Sequence, residues 1–221
     1  SSQTSRLGLE SDALGAPLAI NEGLKAPVSA FDAYAVSGYF GGILGEADRS
    51  ALIKSWMEES LRAAQAAALA DGLGGQAATD YVTAHRFDAA VKLAGRELRD
   101  GALSGHVEGT LSDLLGRLWP YHAAVARAGG LDLIMYAGGS NVAAAGHGVE
   151  DPELIAFFDH LNHAEEMGAL YQTLLEGWTA VGGQLFTAKT DVKSPAKTGS
   201  WGALRHIDDD TPRMDALVNY P

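Results

Sequence analysis

Three short apolar runs, separated by long helical stretches, constrain this 221-residue chain most tightly. They are "FDAYAVSGYF" (31–40), "LDLIMY" (131–136) and "GGQLFTAKTDV" (182–192). The middle run is apolar throughout except at Asp132, as expected for a parallel strand covered on both faces. Parallel neighbours need a crossover connection, and the intervening segments have the length and pattern to supply it as helices. The expected order is strand, helices, strand, helix, strand, helix. Three such units do not close a barrel. The chain is therefore expected to be one α/β domain over 1–221: either a small open sheet, or the later part of a (β/α)8 barrel whose N-terminal part is missing.

The helices are expected over 46–71, with Leu52, Trp56 and Leu61 on one face, and over 78–101. A third, over 110–130, has Thr110 or Ser112 as cap and Gly129-Gly130 as stop, and Pro120 should kink or divide it. A fourth runs over 151–183 with Asp151 as cap, Pro152 in the first turn and Gly182-Gly183 as stop. The last, over 210–220, has Pro212 near its start.

Composition narrows the function classes. A net charge of −12 argues against nucleic acid or an anionic membrane as partner. No apolar run reaches the roughly 18 residues needed to cross a bilayer. The absence of cysteine excludes disulfides, thiolate metal sites and a cysteine nucleophile, and hydrophobic residues at 47% provide for a sizeable core. The first residues, "SSQTSRLGLE", do not read as a signal peptide and lack an initiator Met, so the numbering is expected to begin inside a longer polypeptide.

In a parallel α/β architecture the working residues gather where strands end and helices begin. That rule selects Ser37, Tyr39 and Phe40 after the first strand, and Tyr136, Ala137, Ser140 and Asn141 after the second. The third offers Thr187, Lys189 and Asp191, followed by Lys193, Lys197, Ser200 and Trp201. Tyr39 and Tyr136 also read as core aromatics with one hydrogen bond each. Lys189 and Asp191 also read as a rim ion pair, worth little. Trp201, in the Gly/Ser-rich "KTGSWGALRH", has little local packing to explain it and suits a sugar-stacking platform. His160, His163 and Glu166 fall three apart in "FFDHLNHAEE". A polar helix face explains them better than a metal site, and no metal or other cofactor is expected. The HExxH, GxSxG and P-loop patterns are missing from the chain.

Taken together, "FDAYAVSGYFGG", "LDLIMYAGGSN" and "GSWGALRHIDDDTPRMDAL" resemble the C-terminal part of a (β/α)8 glycoside-hydrolase-like domain of large, often secreted, bacterial proteins. The architecture is that of the retaining clan A glycosidases, and the resemblance covers roughly strands 5/6 to 8. It implies secretion, an oligo- or polysaccharide ligand and an N-terminal remainder of the barrel as partner. In that family the strand-seven motif reads Tyr-Glu-Gly-Gly, often followed by Thr-His, and the Glu is the nucleophile. A second carboxyl about 5–5.5 Å away protonates the leaving oxygen, and in this chain it would lie upstream of Ser1. Here the motif is "YAGGSN": Ala137 takes the nucleophile position and Asn141 stands in the place of the His. Either a Glu was changed to Ala to trap substrate, or the site has degenerated to binding alone. The resemblance further implies that Tyr39 hydrogen-bonds the nucleophile and that Trp201 floors the sugar subsite. Tyr136, Asn141 and Lys189 would line the site. A non-catalytic carbohydrate-binding or structural barrel is the alternative.

Overall fold

The three apolar runs form three parallel strands. In the computed structural model, which describes residues 7–8 and 26–220, they are β1 (Ala33–Phe40), β2 (Asp132–Ser140) and β3 (Gly183–Ala188). Most of the N-terminal "SSQTSRLGLE" lies outside the described residues. β2 is central and pairs in parallel with both neighbours, giving the order β1-β2-β3. Neighbours in space are thus consecutive in sequence. The protein is a mixed α/β fold built on one small parallel sheet.

Between β1 and β2 lie α1 (Ser50–Ala70), α2 (Gly75–His85), α3 (Asp88–Asp100), the single turn α4 (Leu111–Asp113) and α5 (Trp119–Gly129). α6 (Pro152–Asn162) and α7 (Glu165–Ala180) connect β2 to β3, and α8 (Pro212–Val218) ends the described chain. α1 buries Ile53, Trp56, Met57, Ser60, Ala64 and Ala68, a stripe at helical spacing. The expected face differs in one member: Leu61 lies off that stripe and is exposed. Thr110 caps α4, its hydroxyl accepting from Asp113 N–H, and Pro120 is accommodated without a break, the helix running on through a π turn. The proline lacks an N–H and crowds the carbonyl of Gly116, and the turn just before it, Leu114–Leu118, is π-helical.

Two expected single helices are each split. The 78–101 segment breaks after His85, and the 151–183 segment breaks after Asn162. At the second break Asn162 Nδ2 donates to the Phe158 carbonyl, and His163 Nδ1 bonds the Asp159 carbonyl at 2.8 Å. Side chains thereby occupy carbonyls that a continuing helix would use. Glu165 and Glu166 then open α7 at its positive end.

The core lies between the sheet and α5 and α7. Val36, Met135 and Phe186 are cross-strand partners on the helix-covered face. Trp119 and Trp178 pack there edge to face, with centroids 5.0 Å apart, and Phe186 packs against Trp178. The opposite face carries Ala35, Ile134 and Leu185 in one register row, and Leu185 is 53% exposed. The expectation of a central strand covered on both faces is met on the helix face, not across this row.

β2 does not stop at Tyr136, as the Ala-Gly-Gly sequence suggested, but runs on to Ser140. Its glycines serve the core. A Cβ on Gly38 or on its partner Gly138 would run into the Met135 thioether. The paired glycines leave room for Met135 to lie fully buried across the sheet.

Candidate functional site

The strand ends converge because the sheet is parallel. Tyr39 closes β1, the "YAGGS" segment closes β2, and Lys189 follows β3, its N–H donating to the Gly138 carbonyl at 3.0 Å. The register along β2 shifts between Val36/Ser37, so Val36 pairs with Met135 and Ser37 with Ala137. Tyr136 is therefore the extra residue of a β-bulge, and it is 48% exposed. Ala137 is half-buried opposite Ser37, and Tyr39 stands two pairs further along, opposite Gly139, on the same face.

Lys189 joins two of the expected residues. Its Nζ lies 5.8 Å from the centroid of the Tyr39 ring and 6.0 Å from that of Trp201. Such contacts are worth about 0.5–1 kcal/mol at exposed sites. Lys189 makes no ion pair with Asp191, whose carboxylate accepts from the Thr190 hydroxyl at 3.1 Å. Burial pushes the Tyr39 phenol above its ordinary pKa, and the neighbouring Tyr136 and Tyr171 push it further. Tyr39 therefore stays protonated over the physiological range and can donate a hydrogen bond.

Trp201 is held by main-chain bonds. Thr190 N–H donates to the Trp201 carbonyl at 3.0 Å, and Ala203 N–H donates to the Thr190 carbonyl at 2.7 Å. The indole rests against Gly199, where a Cβ would come within 2.5 Å of the ring. Trp201 is half-buried, so the loop that carries it does supply packing for it.

Beneath this loop lies a polar network absent from the expected site. Asn162, 1% exposed, accepts from Ser140 Oγ at 2.8 Å and donates to the Val142 carbonyl at 3.0 Å. Arg213, also 1% exposed, donates to the Ser200 carbonyl at 3.3 Å and to Asn162 Oδ1 at 3.4 Å. Tyr171 Oη accepts from Ser140 N–H at 2.9 Å. Ser200 Oγ donates to Asp159 Oδ1 at 2.9 Å, and His163 Nδ1 lies 3.2 Å from the same oxygen. Burial works to raise the Asp159 pKa, but the bonds from His163 and Ser200 outweigh it and hold the carboxyl below its usual range. The network ties β2, the end of α6, the Trp201 loop and α8 into one unit. Its members are up to 73 positions apart (Ser140 to Arg213), so no local pattern announces it.

No protein-family model, curated protein sequence or solved structure matches this chain. Function therefore rests on the site itself.

Asn141 is the outlying member of the expected set. Its N–H donates to the Phe40 carbonyl at 2.8 Å, and its side chain packs over Gly42. The break between α6 and α7 separates His160 and His163 from Glu166, which stands on the next helix. Among the described residues no three His, Asp or Glu side chains are placed to hold a metal ion. Among them, too, no helix is long and apolar enough to cross a membrane.

Proposed function

We propose that this chain is the later part of a (β/α)8 barrel of the retaining-glycosidase type, whose strand ends bind a polysaccharide without cleaving it. The observation that carries this reading is the convergence of Tyr39, Lys189 and Trp201 on the strand ends beside Ala137. Aromatic faces and a flexible cation suit the stacked rings and hydroxyls of a sugar. The sequential strand order suits a singly wound barrel, because right-handed crossovers place successive helices on one face of the sheet. The Ala35–Ile134–Leu185 row would then face the barrel interior, against the N-terminal remainder.

Retaining hydrolysis needs a carboxylate to trap the oxocarbenium-like centre. Ala137 offers only a methyl group at that place, which favours binding over turnover. Calorimetric titration of the chain with a panel of neutral oligosaccharides tests the proposal. Saturable binding that weakens at least about tenfold in Trp201→Ala is expected, in line with the loss of one stacking platform. Failure of every saccharide to bind the folded chain overturns it. Ala137→Glu, placed in a polypeptide that carries the complete barrel, is expected to give hydrolysis with retention. A folded Ala137→Glu barrel that binds but never cleaves would reduce the assignment to a carbohydrate-binding barrel.

A further inference from the structure

Three cations rise from α3 at its groove with α7, and among the described residues none of them has an anion partner. α3 presents Lys92, Arg96 and Arg99 at i, i+4 and i+7, so the three side chains rise from one helical face. All three are exposed. Elsewhere Arg49, Lys54, Arg62, Arg86, Arg117 and Arg205 each lie within 4.0 Å of a carboxylate. Among the described residues, none of the three on α3 has such a partner. In a chain of net charge −12, that leaves a local basic stripe on an acidic molecule.

The stripe lines a cleft of about 450 Å³, within the range of small-molecule sites. Buried Gly95 and Leu170 form its apolar base, and Thr173 stands on the α7 side. Gly95 lets the two helices approach beneath the cleft: a Cβ there would come within 3.2 Å of Glu166 Cβ and force them apart. Among the described lining residues Glu166 is the one acidic side chain, against three cations. Like charges at i,i+4 destabilise a helix, and a bound anion removes that repulsion.

We propose that this groove binds a small, multiply charged oxyanion through Arg96 and Arg99, with Lys92 as a third contact. Guanidinium forks meet phosphoryl or carboxylate oxygens in pairs, whereas lysine adds a mobile point charge. Arg96 and Arg99 have Cβ atoms roughly 5–6 Å apart, and Lys92 lies about 10 Å from Arg99 along the axis. A tripolyphosphate or a tricarboxylate spans these positions, and a single small anion does not. The molecule's overall negative charge repels nucleic acid, which argues against a long polyanion. This site is independent of the saccharide reading, since it lies on the helix layer and shares no residue with the strand ends.

Calorimetric titration of the full chain with tripolyphosphate and, separately, with citrate tests the proposal, at low ionic strength matched by chloride. One-to-one saturable binding of at least one probe is expected, and the probe that binds names the oxyanion. The double variant Arg96→Gln/Arg99→Gln is expected to weaken that binding at least about tenfold. Arg127→Gln, an exposed arginine on α5, should leave it unchanged. No binding of either probe, or an equal loss in Arg127→Gln and in the double variant, overturns the proposal.

Discussion

The strand-end cluster and the network beneath it occupy the same edge of the sheet but are built in opposite ways. Tyr39, Lys189 and Trp201 are partly exposed and touch through ring and cation contacts of about 0.5–1 kcal/mol each. Asn162 and Arg213 are almost fully buried and bonded to carbonyls and hydroxyls from four segments of the chain. The lower layer fixes the loop, and the upper layer is left free to meet a ligand. Substitutions in the two layers should therefore separate stability from binding.

The largest expected effect comes from Asn162→Ala. It removes the side-chain partner of the Val142 carbonyl and of the Ser140 hydroxyl and one acceptor of Arg213, which keeps the Ser200 carbonyl, and should cost roughly 3 kcal/mol or more in urea unfolding. A loss below about 0.5 kcal/mol would place the network among dispensable surface features. Gly138→Ala follows. Its Cβ meets the Met135 thioether, so overpacking of about 1–3 kcal/mol is expected. A neutral outcome there would return the Gly-Gly pair to the role of a simple turn.

Trp201→Ala should invert the pattern. Stability is expected to change by less than about 1 kcal/mol, while saccharide affinity falls at least about tenfold. A large stability loss with unchanged affinity would exchange the roles of the two layers. The smallest expected effect is in pH dependence. The folded pKa of Asp159 is depressed, so its contribution is complete above the ordinary carboxylate pKa of about 3.9 and is lost as pH falls through the lower folded value. Asp159→Asn should flatten the acid limb of the stability profile. An unchanged limb would show that Asp159 does not link the Trp201 loop to α6.

The sheet was readable in the sequence because each strand carries a short apolar run, and the helix caps Thr110 and Asp151 were readable from local residue type. Tyr39, Lys189 and Trp201 were selected by one topological rule about strand ends, and the structure brings them together. The bulge at Tyr136 was not visible, because a one-residue slip depends on how the neighbouring strand pairs. The break after Asn162 was also hidden, since helix propensity runs unbroken through "DHLNHAEEMG" and it is the side chains of Asn162 and His163, turned back onto the Phe158 and Asp159 carbonyls, that occupy the bonds a continuing helix would use. Arg213 was not among the residues that the strand-end rule selected, and α8 docking beside α7 buries it.

The central proposal is a saccharide site at the strand ends, beside Ala137. Hydrogen–deuterium exchange of the full chain, with and without a saturating oligosaccharide, maps that site directly. The expected result is protection confined to 37–40, 136–141 and 189–201, with α3 unchanged. Protection elsewhere, with those three segments exchanging as in the free chain, would contradict it.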